Sequence, residues 1–353
     1  MTMTQGTITS EELHDLLSQR KLPRWNTAAV LATSVAAAIL LSLMTPISGV
    51  AGTTVVAFVL FLVLQTWLSF AVEGSRYAID RLASTFLVSA LVAALVPLAS
   101  ILLTVLVRGF HAFNAGFLTS TMRNVSPRKP GGGILHALIG TVEQVAIAAA
   151  IGIPLGVLAA VYLVEFGNRS RLARSVSFFV DVMTGIPSIV AGLFVYTGLI
   201  LTLGLQRSGF AAGIALAILM IPVVVRSTEE MLRLVPRDLR EASYALGVPK
   251  YRTILRVVIP SASTGIITGA MLAVARVTGE TAPLLLTTFL TQSININPFN
   301  GPQASLPTYV WDQIGSGTTA SIDRAWAGAL TLILLVMILN LSARAIARLS
   351  RVK

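Results

Sequence analysis

Eight apolar runs alternate with short polar segments along the chain. They cover 26–44, 50–72, 83–107, 134–164, 176–203, 209–225, 262–290, and from 324 or 325 to 341. A bilayer core of about 30 Å takes roughly 20 apolar residues of helix. Inside lipid the backbone must satisfy its own hydrogen bonds, which selects helices for runs of this length. The pattern therefore predicts an all-α polytopic membrane protein with eight spans. The fourth run carries Gly152-Ile-Pro-Leu-Gly156, small residues that suit close helix packing. The fifth is interrupted at Gly185-Ile-Pro187.

The polar segments differ in character. Residues 1–25 are polar, and Thr9 or Ser10 ahead of Glu11 and Glu12 suits the cap of a short helix over 11–18. Arg20, Lys21 and Arg24 before the first apolar run have the look of a signal-peptide lead. The polar lead is long for that, and a second apolar run follows at once, so the expectation is a two-span accessory hairpin. Residues 73–81 form a short charged break. Residues 108–133 hold Arg123, Pro127, Arg128, Lys129, Pro130 and three consecutive Gly, an external loop or short surface helix. Residues 204–208 read as a tight turn, and 309–314 as a short helix within the polar segment 291–323.

The longest polar stretch of the second half, 226–260, reads as two or three short amphipathic helices broken by turns. Pro236 ends the first. Leu239, Ala242, Tyr244 and Leu246 give the second an apolar stripe at roughly helical spacing. Gly247 stands where a left-handed C-terminal cap belongs, and Pro249 suits the first turn of the next helix. That third helix sets Ile254, Val257, Val258 and Ile259 on one side and Tyr251, Arg252 and Arg256 largely on another. A helical hairpin emerging between spans can dock on a soluble partner.

Charge fixes the sides. If the eight spans alternate, the N-terminus, 73–81, 165–175, 226–260 and the C-terminal tail share one face. That face carries 18 Lys and Arg and the opposite face six, with Arg226 and Arg276 at or within spans. The positive-inside rule makes the first face cytoplasmic. The composition agrees with lipid as the main solvent: 55% hydrophobic and only 12% charged residues, against about 25% charged in soluble domains, with a mean hydropathy of +0.81. The net charge of +11 lies beside apolar runs rather than on a basic surface with stacking aromatics, which argues against nucleic acid as a partner. No Cys is present, and the His at 14, 111 and 136 are scattered, so neither thiolate chemistry nor a metal centre is expected.

Candidate chemistry is sparse. No Gly-x4-Gly-Lys-Ser/Thr occurs, and no HExxH or ordered Ser/His/Asp set; the chain does not read as an enzyme, and any ATP that drives it is bound elsewhere. Arg276 lies mid-run, with Glu280 four residues later; they share a helix face if the helix continues through Gly279. An intramembrane charge is a functional candidate by default. The pair either neutralises itself or forms part of an anion path, Arg276 lining it and Glu280 orienting the guanidinium. Arg226, at the inner end of the sixth run, is either a snorkelling basic residue or a second member of that path. Glu143 and Asp181, also in apolar surroundings, are expected to reach polar groups at an interface, Asp181 with Arg169 or Arg174 as possible partners. Glu241 reads by itself as a solvated first-turn acid, and Gly247 as a cap.

The ordered set Glu241-Ala242-Ser243, Gly247, Val257, Ile259 and Pro260 resembles the EAA loop of bacterial ABC importer permeases. Ser243 replaces the second Ala of that pattern, and Val257 and Ile259 replace its Ile and Leu. The longer runs REASYALGVPKYRT, RVTGETAPLLLT and GIPSIVAGLFVYTGL resemble phosphate-specific permeases of PstA type, over about 83–344. The resemblance implies a six-span type I importer core behind the N-terminal hairpin. The implied organisation is 1–82 for the N-terminus and accessory spans, 83–133 for the first core span and external segment, 134–345 for the permease domain, and 346–353 for a basic tail. It implies phosphate import across the bacterial cytoplasmic membrane, both termini cytoplasmic. The implied partners are a PstC-type sister permease, two PstB-type ATPases carrying ATP and Mg, and a PstS-type binding protein, with no cofactor bound by this chain. It places Arg226, Arg276 and Glu280 in the substrate path, and Glu241, Ala242, Ser243, Gly247 and Pro260 in the ATPase-coupling loop. Permeases for sulfate or molybdate, or an ion-coupled transporter, are the alternatives; the EAA-like loop separates the last, having no role without an ATPase.

Overall fold

The computed structural model describes residues 22–23, 25–44, 49–167 and 170–349. The helix expected over 11–18, along with Arg169, Arg351 and Lys353, lies outside them. The described residues form helices joined by loops, with no strand among them, and divide into two units between Ile101 and Leu102.

The first unit holds α1 (Asn26–Met44), α2 (Val50–Glu73) and the start of α3 (Ser75–Ala112). α1 packs on α2, burying Val30, Ser34 and Ala38 from one and Phe61, Gln65, Ser69 and Glu73 from the other. Both sets recur every four residues, one ridge of each helix. The charged break is shorter than 73–81: only Gly74, at φ +91°, separates the helices. Glu73 closes α2 as an acceptor, taking Ser69 Oγ at 2.9 Å, Arg81 Nη2 at 2.7 Å and the Leu22 N–H at 2.7 Å. A carboxylate with three donors tolerates the burial it would otherwise resist.

The second unit continues with α4 (Ala115–Thr119), α5 (Leu135–Val161), α6 (Arg171–Gly185), α7 (Ser188–Val195) and α8 (Gly209–Arg233). The 226–260 stretch supplies α9 (Arg237–Ala245) and α10 (Lys250–Thr253), followed by α11 (Ile259–Thr278), α12 (Ala282–Thr287), α13 (Leu306–Ser316) and α14 (Thr319–Leu349). α8 is the central post, packed against α5, α6, α7, α11 and α12. Its Leu216, Met220 and Val224 join Val145, Ala148, Ala273, Val277 and Leu284 in the main core. The α5–α8 approach needs glycine: a Cβ on Gly156 would stand 2.7 Å from Val224 Cγ1, and one on Gly213 2.6 Å from Ile147 Cγ2.

Among the described residues, seven helices are long and apolar enough to cross a membrane. The expected fifth span is instead a bent pair, Arg171–Gly185 and Ser188–Thr202, meeting at 111°. Pro187 explains the break: it disfavours the helical region for its predecessor, and Ile186 sits extended at φ −72°, ψ 127°. The sixth and seventh spans are longer than their apolar runs. α8 continues to Arg233, so Arg226 lies inside the helix rather than at its end. α10 passes through a π-helical turn, Ile254–Val258, straight into α11, so the last helix of the polar stretch is the first part of a span. The π turn lies where Pro260 has no N–H for the carbonyl four residues back and would crowd it in a regular helix.

Candidate functional site

Three sets of residues carry the candidate chemistry: a charged cluster inside α8, the end of α11, and the helical hairpin between those two spans. Arg226 is half-buried and makes contact with α6. Its Nη1 donates to Glu229 Oε2 at 2.6 Å, one turn along the same helix. Its Nη2 donates to Asp181, to Ser177 Oγ at 3.1 Å and to the Ser177 carbonyl at 3.3 Å. Glu229 also receives Arg233 through its other oxygen. Asp181 thus reaches Arg226 and not Arg174, the other expected partner, Arg169, being outside the described residues. The spacing of Arg226, Glu229 and Arg233, three and four residues apart, is that of helical ion pairs, and it is the sequence signal that marks Glu229.

Arg276 and Glu280 do not share a face. α11 stops at Thr278, with Gly279 as its cap and its N–H on the Arg276 carbonyl at 3.3 Å. The cause is Pro283 in the first turn of α12, whose ring would crowd the Gly279 carbonyl in a continuous helix. Arg276 is exposed, Glu280 half-exposed, and among the described residues neither has an ion pair or a side-chain hydrogen bond. The mutually neutralising pair is absent from this structure.

Arg226 and Arg276 nevertheless stand on neighbouring helices. A Cβ on Gly269 of α11 would meet Ser227 Oγ at 2.3 Å, and one on Gly265 would meet Met231 Sδ at 2.1 Å. Later residues of one helix thus face earlier residues of the other, so α8 and α11 run antiparallel. Seven residues from Gly269 to Arg276 at 1.5 Å each place the two arginines about 10 Å apart along the helix axes.

The hairpin has the shape expected of it. α9 ends in a Schellman turn: Gly247, at φ +75°, donates its N–H to the Tyr244 carbonyl at 2.9 Å, and Val248 to the Ser243 carbonyl at 3.2 Å. Pro249 then caps α10. Of α9 only Ser243 is buried, and its hydroxyl lies 2.9 Å from that of the fully buried Thr253, tying α9 to α10. Glu241 and Ala242 are exposed, and so are Leu239, Tyr244, Leu246, Tyr251 and Leu255. The apolar stripe of α9 therefore points away from the chain, while Val258 of the π turn joins the core beneath and Ile254 beside it is buried.

A clamp that the sequence did not flag holds this hairpin to α5. α5 ends in a π-helical turn, Tyr162–Phe166. Its Glu165 accepts from Arg240 Nη2 at 2.9 Å and Nε at 3.1 Å. Arg240 also donates to the carbonyls of Leu232 at 2.9 Å and Val235 at 2.6 Å. Lys250 donates to the Glu165 carbonyl and lies over the Phe166 ring at 4.7 Å. The available signal was Glu165 itself, a lone acid between an apolar run and an arginine-rich segment.

At the opposite end of α5, Glu143 does reach an interface, accepting from Gln303. Gln303 is buried, accepts from Gln144 at 3.1 Å and donates to the Asn295 carbonyl at 2.9 Å. Thr288 holds its backbone from both sides at 2.9 and 3.0 Å. This network pins the long segment before α13 onto α5.

Comparison with known proteins bears on this arrangement. Residues 152–352 match the family described as "Binding-protein-dependent transport system inner membrane component". The phosphate transport system permease protein PstA 1 of Mycobacterium tuberculosis (strain ATCC 25618 / H37Rv) is 49% identical over 265 residues, 75% of this chain and 86% of that protein. The phosphate transport system permease protein PstA of Yersinia pestis is 39% identical over 267 residues, 76% of this chain and 89% of that protein. Among solved structures, the inward-facing MetNI methionine ABC transporter matches with a TM-score of 0.50 and 22% identity, over 62% of this chain and 94% of that one. A bacterial alginate ABC transporter matches with a TM-score of 0.53 and 14% identity, over 76% of this chain and 94% of that one. The structural likeness speaks for the fold of ABC importer permeases, and the sequence likeness goes further. The chain is a multi-pass membrane protein of the binding-protein-dependent transport system inner membrane component family, a transport subunit rather than an enzyme, and belongs within that family to the PstA-type permeases.

Proposed function

We propose that this chain is the PstA-type half of a phosphate importer in the bacterial cytoplasmic membrane, with both termini in the cytoplasm. Its partners on this reading are a PstC-type sister permease, two PstB-type ATPases that bind ATP and Mg, and a PstS-type phosphate-binding protein. The observation that carries the reading is the placement of Arg226 and Arg276 on adjacent antiparallel spans, about two helical turns apart. An anion in a low-dielectric span needs compensating charge at each stage, and guanidinium stays protonated while offering a planar fork to an oxyanion. Phosphate enters past Arg276, with Glu280 close in sequence to limit over-tight binding, and leaves past Arg226. The test is uptake by vesicles holding the whole complex, with phosphate, sulfate and molybdate supplied in turn. Phosphate uptake that excess sulfate or molybdate leaves unchanged supports the assignment; preferred uptake of either of them moves the chain to another oxyanion.

The hairpin 226–260 is the ATPase dock on this reading. Its exposed apolar stripe with Glu241 and Ala242 presents a surface, and Ser243, Gly247 and Pro260 set its shape. Gly247→Val is expected to uncouple ATP hydrolysis from transport. A Cβ there meets nothing within 4 Å, so the damage comes from the left-handed backbone, about 1–2 kcal/mol of strain. Full coupled transport by this variant in proteoliposomes would reject the dock.

The domain reading sets 134–345 as the permease domain, with 83–133 before it, 346–353 as a basic tail, and 1–82 as accessory. A chain beginning at Arg76 is therefore expected to assemble with its partners and to take up phosphate at close to the parent rate. If that chain fails to insert while its core helices remain intact, the hairpin sets topology instead.

A further inference from the structure

Arg226 holds its two acids on unequal terms. Glu229 lies on the same helix, has a side chain 9% exposed, and is shared with Arg233. Asp181 comes from α6, has a side chain 64% exposed, and takes the Nη2 edge of the guanidinium together with the Ser177 oxygens. With Arg233 the cluster sums to two positive and two negative charges, and a neutral cluster offers an incoming anion no compensation. For an oxyanion to occupy the fork of Arg226, one carboxylate must withdraw. Glu229 is held by burial and by Arg233. Asp181 is largely uncovered by the rest of this chain, and among the described residues Arg226 is the one cation that holds it, so it is the freer of the two. It also rides on a helix that meets its successor at 111°, across an Ile186 with no helical continuity. A carboxylate and a tetrahedral oxyanion present the same pair of acceptor oxygens to a guanidinium.

We propose that Asp181 is an exchangeable counter-ion of the path: it holds Arg226 when the anion is away, yields to the anion on arrival, and displaces it at release. This rests on the reading of Arg226 as a path residue and adds to it a partner that sets anion release. Without the competing carboxylate the anion binds more tightly and leaves more slowly, so affinity and turnover move in opposite senses. A carboxylate that merely stiffens the fold has no reason to produce that split.

The experiment uses the assembled complex in vesicles, with phosphate delivered by its binding protein over a range of concentrations. In Asp181→Asn, both KM and the maximum uptake rate are expected to fall, each by about three- to tenfold. Asp181→Ser should show the same pattern, which covers the case of an Asn variant that fails to assemble, and Asp181→Glu should restore parent values. Arg226→Gln is measured alongside and is expected to lose uptake. If Arg226→Gln loses uptake but the Asp181 variants keep parent kinetics, or lose rate with KM unchanged or raised, the exchange role is wrong and the path reading stands. If Arg226→Gln transports like the parent, the path reading fails and the exchange role fails with it.

Discussion

Arg276→Gln is expected to abolish phosphate uptake by the assembled importer while subunit stoichiometry stays at the parent value. The structure separates these two outcomes. Arg276 is exposed, and among the described residues it has no ion-pair or side-chain hydrogen-bond partner, so removing its charge orphans no buried acid. Its position in the last turn of α11 places a cation where the negative end of the helix dipole favours one. On the proposed path reading, what the variant loses is compensation for an anion in a low-dielectric span, several kcal/mol at the least. Each 1.36 kcal/mol is tenfold in rate, so a loss of about 3 kcal/mol already leaves roughly one part in a hundred. Arg276→Lys is expected to retain partial uptake, because charge survives and the planar fork does not. The measurement is phosphate flux in vesicles holding the complete complex, with stoichiometry determined on the same preparation. Parent flux in Arg276→Gln would put the path elsewhere; loss of the complex would make Arg276 an assembly residue that pairs with a neighbouring subunit.

The parts of this protein that the sequence discloses are those governed by local physics. Spans follow from apolar length, and the turn of the hairpin follows from Gly247 and Pro249, because left-handed backbone and a missing N–H are properties of single residues. Side-chain partnerships across the fold are not local. Asp181 is 45 residues from Arg226 and Glu165 is 75 from Arg240, and no periodicity links them. The shared face expected of Arg276 and Glu280 needed an unbroken helix, and Pro283 removes it three residues after Glu280. Gly185-Ile-Pro187 marked the interruption in the fifth run, but a 111° turn depends on what α6 and α7 pack against. The π turns at Tyr162–Phe166 and Ile254–Val258 leave no such mark except the Pro260 that follows the second.

Arg240→Ala is expected to leave the ATPase active and phosphate flux severely reduced, because it cuts the link between the hairpin and the spans. The side chains of Arg240 and Glu165 are 15% and 6% exposed. Breaking a fully buried pair by removing one partner costs about 3–5 kcal/mol, since the remaining charge is left without compensation; this pair is part-buried and costs less than that. Arg240 does more than neutralise Glu165: it also satisfies the carbonyls of Leu232 and Val235 where α8 ends. One guanidinium thereby joins the end of α8, the start of α9 and the end of α5. On the proposed reading of the hairpin as the dock, its movement reaches two spans through this group. Arg240→Lys keeps the charge but cannot meet these three acceptors with the four bonds of a fixed fork, so it should fall between parent and Ala. Glu165→Gln should cost less than Arg240→Ala, because the amide oxygen still accepts one bond and the carbonyl contacts of Arg240 survive. The decisive quantity is phosphate moved per ATP hydrolysed, measured on the same vesicles. A ratio equal to the parent's in Arg240→Ala would show that the clamp only stabilises the loop. Arg240→Ala combined with Glu165→Ala completes the cycle: if the two groups act as one link, the double variant loses little more than the worse single variant.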